Sequence, residues 1–410
     1  MMLAHAALLA LLVVASTAIQ PLRHGWDTVS SMLYGHGHSP AVLNETSLTF
    51  LSDHYKMVTF ANCYGTDNGT QEEGVLAAAA FLKAKNPSIR VIFYFKSWLA
   101  SQLAKCSSAT ATWQAHPEWR LKDDYGNVYD PEFLDVANPN ASSFWHDHLA
   151  KLAKQRLANG QLALDGFFID GMENTPSNPF KNMSQARYLS LLADKASIVA
   201  RLQDTIAPDG QFALTNGLDT RWSADHFAAA GAAMIDHFAI LQFVNKTTGE
   251  LLPEAMAELL FEVVPLLGNR TIQVKGWPGP IIKQRDVWPR SWPGPRTPAE
   301  YQHQALLQFN NALSYFLLIA EDNFWWGYSW FWDMLDIEPY DPDSTVPPGF
   351  YPELECQLGA PLAAAKMVAN WTYVREFEHA TVYVDLTSRA SSNVTFHGSC
   401  PSAHGKVDVV

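Results

Sequence analysis

Leu164-Asp165-Gly166-Phe167-Phe168-Ile169-Asp170-Gly171 is a short apolar run that ends on an acid and a glycine. Consecutive large apolar residues bounded by turn formers read as a buried strand. Such a strand carries Asp170 to its C-terminal tip on rigid backbone, and Gly171 lets a ligand approach the main chain. Similar runs recur on both sides: Ser30–Tyr34, Met57–Asn62, Val91–Phe95, Phe212–Asn216, Ala233–Phe238, Thr271–Lys275 and Ser314–Ala320. Helical patterns separate them, among them Glu72–Ala84, Ser143–Ala158, Gln185–Asp204, Pro253–Leu267 and Thr297–Asn311. With Phe167–Asp170 the strands number eight, and eight strands alternating with helices predict an α/β fold, a (β/α)8 TIM barrel.

Beyond Phe350 the pattern changes to period two. Thr372–Phe377, Ala380–Asp385 and Ser392–His397 alternate apolar and polar residues, which predicts a small C-terminal antiparallel β appendage. The expected organisation is therefore a barrel over residues 25–350 and a β segment over 351–400.

The compartment is legible as well. Residues 1–18 end an apolar core in Ser16-Thr17-Ala18, the form of a cleaved secretory signal peptide. Asn-x-Ser/Thr sequons begin at Asn44, Asn68, Asn140, Asn182, Asn245, Asn269, Asn370 and Asn393, and each is a candidate glycosylation site. The 4 cysteines allow three disulfide connectivities. Cys356 and Cys400 bracket the β segment, while Cys63 and Cys106 follow strands two and three, so the favoured pairs are Cys63–Cys106 and Cys356–Cys400. The expected destination is outside the cell, with an endomembrane or vacuolar lumen as the alternative. A formal charge of −13 argues against a nucleic-acid partner and against anionic membrane surfaces. No later apolar stretch is long enough to span a bilayer, so no membrane insertion is expected after signal cleavage.

In a barrel of this kind the site lies at the C-terminal ends of the strands. Asp170 after strand four and Asp236 after strand six are the candidate catalytic acids. One carboxyl protonating the leaving oxygen while the other attacks the anomeric carbon, or activates water, is the chemistry of glycosidic cleavage. Tyr94 and Lys96 at strand three, Glu173, Asn216 after strand five, Lys275 on strand seven and Asp322 after strand eight are candidate substrate-binding groups. The chain has 14 tryptophans. Trp325 and Trp326 after strand eight, with Trp277, Trp288 and Trp292 after strand seven, are candidate stacking rings for a pyranose. His36-Gly37-His38 follows strand one, where metal-dependent amidohydrolase or deacetylase barrels place two ligands. No histidine ends strand five, so no metal is assigned and no cofactor is expected. A non-catalytic carbohydrate-binding glycoprotein on the same barrel is the other alternative.

Several segments occur in a recognisable order: Val91-Ile92-Phe93-Tyr94-Phe95; Trp119-Arg120-Leu121-Lys122-Asp123 with Gly126-Asn127; Leu134-Asp135-Val136-Ala137-Asn138-Pro139; and the Leu164–Asp170 run. Together with the tail Val374–Asp385 they resemble hypothetical glycosyl hydrolase family 15 and its relatives near the endo-α-polygalactosaminidases. The resemblance spans roughly residues 25–390. It implies an enzyme that hydrolyses O-glycosidic bonds of a polysaccharide or glycan, with the acid after strand four falling on Asp170 and its partner after strand six on Asp236. Asp135 in the Leu-Asp-x-x-Asn-Pro segment is read as a structural group that caps the helix after Pro139, with substrate binding as the alternative.

Overall fold

The computed structural model describes residues 20–35, 43–60, 63–66, 69–97, 100, 103, 105–130, 132–171, 177–217, 220–226, 230–238, 251–278, 298–329, 351–388 and 391–401. Eight parallel strands run in chain order around a barrel: β1 (Met32–Gly35), β2 (Met57–Phe60), β3 (Arg90–Lys96), β4 (Gly166–Asp170), β5 (Phe212–Thr215), β6 (Ala232–Phe238), β7 (Thr271–Gly276) and β8 (Phe324–Tyr328). The ring is nearly closed. β8 meets β1 through a parallel bridge between Ser31 and Trp326, and the Trp326 amide donates to the Ser30 carbonyl at 2.8 Å.

Helices fill the crossovers: α1 (Glu45–His54), α2 (Gln71–Lys85), α3 (Thr110–Ala115), α4 (Pro139–Ala153), α5 (Gln185–Ile206), α6 (Arg221–His226), α7 (Pro253–Glu258), α8 (Val264–Leu266) and α9 (Pro298–Ile319). A single π turn, Leu259–Val263, joins α7 to α8. Their starts follow from local chemistry. Thr70 and Glu73 satisfy each other's backbone amides in a capping box before α2. Asn138 accepts from the amides of Asn140 and Ala141 with Pro139 at the first helical position of α4. Asn138 is thus the cap, and Asp135 serves the preceding turn by accepting from the Ala137 amide at 3.2 Å.

Because alternate residues of a strand face opposite ways, the strands other than β7 feed two apolar clusters. Met32, Met57, Ile92, Tyr94, Phe168, Leu214, Met234 and Trp325 fill the barrel interior. Val58, Val91, Phe93, Phe167, Ile169, Ile235, Val274 and Trp326 pack outward into the larger cluster beneath the helices. The floor is sealed by the N-terminal strap. The Leu22 amide donates to Thr271 Oγ1 at 2.8 Å, Trp325 Nε1 donates to the Leu22 carbonyl at 3.3 Å, and the His24 amide donates to the Asp322 carbonyl at 2.8 Å.

The second sheet is antiparallel, in the order β12 (Asn393–Phe396), β11 (Ala380–Asp385), β10 (Thr372–Glu376), β9 (Lys366–Ala369). It packs on α9. Arg375 of β10 reaches the C-terminal end of that helix and donates to the carbonyls of Leu317 at 3.1 Å, Leu318 at 3.2 Å and Ala320 at 2.8 Å. The same side chain contacts Glu321 at 3.3 Å. Both favoured disulfides, Cys63–Cys106 and Cys356–Cys400, are present.

One strand differs from expectation. Ser314–Ile319 is the last part of α9 and Ala320 follows it, while the eighth strand is Phe324–Tyr328. The cause is burial on two sides: α9 lies between the barrel and the second sheet, so its end is apolar all round. A continuous apolar run of that kind has no periodicity that separates strand from helix. Three site expectations change with it. Asp322 lies before β8, on the floor of the barrel, where it is ion-paired with Arg23. Trp325 is an interior floor residue of β8. Trp326 is fully buried on the outer side, its ring stacked 5.0 Å from Phe316. None of the three belongs to the strand-end rim.

Candidate active site

The strand registers decide which side chains meet at the C-terminal mouth. Tyr94 pairs with Phe168 and Phe168 with Leu214; Lys96 pairs with Asp170; Met234 pairs with Gln273 and Gln273 with Trp325. In an eight-stranded barrel of shear eight the level climbs by one residue per strand, and each interior layer is built from alternate strands. Tyr94 of β3, Asn216 just beyond β5 and Lys275 of β7 therefore share one layer. Asp170 of β4, Asp236 of β6 and Ser329 just beyond β8 share the next. Below them Ile92, Phe168, Leu214 and Met234 form an apolar plug. The interior is thus capped by polar groups drawn from six different strands.

Asp170 is held from two sides. Tyr94 Oη donates to Oδ2, and Asn216 Nδ2 donates to Oδ1. Its backbone is fixed too: the Ser97 amide donates to the Asp170 carbonyl at 2.8 Å. Gly171 follows at φ 79°, the left-handed conformation that glycine adopts without strain. The Gly171 carbonyl accepts from Ser97 Oγ at 3.2 Å and from the fully buried Lys195 of α5. Beside Asp170, burial draws the Lys96 ammonium below its usual range, while the attraction of Asp170 opposes that shift.

Asp236 sits at a break in the ladder. The β6–β7 register slips between Ile235 and Phe238, so β6 bulges where Asp236 emerges. Bulges of this kind re-aim a side chain at the rim of a barrel. The carboxyl is buried, and Trp277 Nε1 donates to Oδ1 at 3.3 Å. Lys275 completes the cluster. Its Nζ donates to Ser329 Oγ at 2.5 Å and to the Ser329 carbonyl at 3.0 Å, and lies 5.0 Å from the centre of the Trp277 ring. Burial pulls the Lys275 ammonium down to about 7, with the charge of Asp236 acting in the opposite sense.

Of the sequence-derived candidates, Asp170, Asp236, Tyr94, Lys96, Asn216 and Lys275 converge on this mouth. Trp277 reaches it as a buried hydrogen-bond donor. Glu173, Trp288, Trp292, His36, His38 and the signal segment 1–18 lie outside the described residues. Among the described residues no group of three His, Cys, Asp or Glu is arranged to hold a metal ion. His146 and His148 diverge, as i,i+2 residues of a helix do: one bonds Thr205 Oγ1 at 2.9 Å, the other Glu72 at 2.9 Å. Sequence reasoning missed Ser329, Ser97 and Lys195. Ser329 follows from counting alternate residues along β8 once that strand is placed correctly; Lys195, inside a helix, carried no such signal.

Known proteins give the following likenesses. No curated protein matches the sequence. Among solved structures, an α-amylase from Geobacillus thermoleovorans is similar at 11% identity, covering 88% of this chain and 86% of its own, with a TM-score of 0.43. Eubacterium rectale Amy13B is similar at 9% identity over 90% and 88%, TM-score 0.44. A β-galactosidase from the psychrophilic Marinomonas ef1 is similar at 11% identity over 74% and 54%, TM-score 0.46. Likeness at this level carries no information about substrate. The family match is of another kind, for it runs through residues 83–381, from the end of α2 to β11, and takes in both mouth acids. With well over half its length inside that match, the chain belongs to hypothetical glycosyl hydrolase family 15.

Proposed function

We propose that this chain is an exported hydrolase of O-glycosidic bonds in a polysaccharide or glycan, with Asp170 and Asp236 as its two working carboxyls. The observation that carries the reading is their common layer: two acids on alternate strands, each oriented by donors, above an apolar plug. Two strand spacings, roughly 9–10 Å, separate backbones on alternate strands of a barrel. A spacing of about 5–9.5 Å is what paired carboxyls need to straddle a glycosidic bond.

The environments suggest the division of labour. Asp170, with donors on both oxygens and Lys96 alongside, is the nucleophile or the base for water. Asp236, buried beside Trp277, is the general acid. Its proton passes to the glycosidic oxygen as the C–O bond breaks. The anomeric carbon takes either an Asp170 oxygen or a water oxygen whose proton Asp170 accepts. Where Asp170 attacks, water then cleaves the glycosyl–Asp170 ester and gives a proton back to Asp236; the two carboxyls and water thus supply every proton and electron pair, and the mechanism calls on no cofactor. Tyr94, Asn216, Lys96, Lys275 and, within the stretch after β4, Glu173 are the groups proposed to bind sugar hydroxyls.

Export is supported by the two disulfides. It is further supported by the exposure of every described sequon asparagine: Asn44, Asn140, Asn182, Asn269, Asn370 and Asn393. Asn68 and Asn245 lie outside the described residues. Among the described residues no helix is long and apolar enough to cross a membrane. The direct test is reducing-end release by the purified glycoprotein across a panel of polysaccharides. New reducing ends from at least one polymer are expected. Saturable binding without release from any of them would favour the non-catalytic carbohydrate-binding alternative.

Lys275 gives a pH prediction. A cation beside Asp236 helps it lose its proton, so Lys275→Met should let the acid stay protonated to higher pH. The alkaline limb of the kcat/KM profile should move up by on the order of 1 unit. An unmoved limb would separate Lys275 from the acid. Stability carries the opposite signature of the same burial. The Lys275 pKa is about 7 when folded against 10.5 for the free side chain. The unfolded chain therefore binds the extra proton between those values, and this group's contribution to stability rises with pH through that window.

A further inference from the structure

On the floor of the barrel, opposite the proposed active site, a cleft of about 580 Å³ opens between the α7–α8 stretch, the end of α9 and the approach to β9. One wall is apolar and built from Leu260, Phe261, Val264 and Pro265; the other carries Arg23, Glu321 and Asp322. Phe261 stands 36% exposed against Tyr373, their rings 4.8 Å apart. An aromatic face opposite hydrogen-bonding groups suits a pyranose, which has an apolar face and a polar edge. The occupant is indicated by the rim. Asn269, the acceptor of the sequon Asn269-Arg270-Thr271, lines this cleft, and Asn44, Asn140, Asn182, Asn370 and Asn393 do not. Arg23 Nη2 donates to Asn269 Oδ1 at 2.7 Å. That bond occupies the amide oxygen and leaves Nδ2, the atom that carries an N-linked sugar, for the glycan.

We infer that the first sugars of an N-glycan on Asn269 lie in this cleft, covering Phe261 and bridging the seam between the barrel and the C-terminal sheet. The inference rests on the export reading, since only an exported chain meets the glycosylation machinery. The same walls border α9 and include Arg375, so the glycan lies over the junction that Arg375 holds.

The test is site-resolved glycopeptide mass spectrometry on protein from a eukaryotic secretory host, before and during native digestion with an amidase that releases N-glycans. The Asn269 glycan should be present and released about tenfold more slowly than those on Asn140, Asn370 and Asn393, because its cleavage waits on local opening. Release at the same rate would overturn the seating. An unmodified Asn269 beside occupied neighbours would overturn the site while leaving export intact. No glycan at any sequon would bring down both. Asn269→Gln separates the sugar from the side chain. It should lower Tm in glycosylated protein and leave it unchanged in protein from a bacterial periplasm; an equal drop in both would assign the effect to the asparagine alone.

Discussion

Asp236→Asn is expected to lower kcat/KM on an unactivated glycosidic bond by about 10²–10⁴, the usual contribution of a positioned general acid. The amide is nearly isosteric and keeps an acceptor for Trp277 Nε1, so the fold should survive. The proton that the leaving oxygen needs is what disappears. The deficit should therefore shrink on aryl glycosides whose phenolate departs without protonation. A uniform loss on both substrate types would make Asp236 a binding or structural group instead. Burial sharpens the expectation, because in a water-poor site no solvent donor replaces the lost acid.

Arg375→Met should carry a large stability effect. The guanidinium is buried, and it satisfies the carbonyls of Leu317, Leu318 and Ala320 at a helix end that is itself covered by the second sheet. A methionine fills similar space but donates nothing, and each buried carbonyl left without a donor costs about 1–3 kcal/mol. Urea unfolding should show a loss of about 3 kcal/mol or more. Arg375→Lys should recover only part of it, since one ammonium cannot reach the fan of carbonyls that a guanidinium spans. An unfolding midpoint that stays in place would mean the second sheet docks without this contact.

Much of this architecture is readable from residue order because local and global signals agree. The Gly166–Asp170 strand is apolar on both faces, as a strand between a barrel core and a helical layer must be. Alternation along each strand then places Tyr94, Lys96, Asp170, Asn216, Asp236 and Lys275 in phase with the interior, so six of the mouth residues could be named before any coordinates. The second sheet was legible for the same reason in reverse: one covered face gives a clean period of two. Beta strand β9 escaped because its side chains are exposed on both faces and carry no alternation.

The failures cluster where burial erases the pattern. At the end of α9 the barrel on one side and the second sheet on the other leave no polar face, and the apolar run passed for a strand. That single shift moved Asp322 to the floor and turned Trp325 and Trp326 into packing residues. Ser329, which positions Lys275, went unseen because its strand was drawn one element too early. The bulge at Asp236 is also invisible in sequence, since it depends on how β6 and β7 pair.

Cleavage of a glycosidic bond is proposed to run through Asp170 on β4. Its most direct test is reducing-end release from a responsive polysaccharide by the wild-type protein beside Asp170→Asn, with folding checked by circular dichroism and unfolding midpoint. A loss of about 10³-fold or more with the fold intact is the expected result, since the amide can neither attack the anomeric carbon nor accept a proton from water. Cleavage that survives undiminished in Asp170→Asn would remove Asp170 from the reaction.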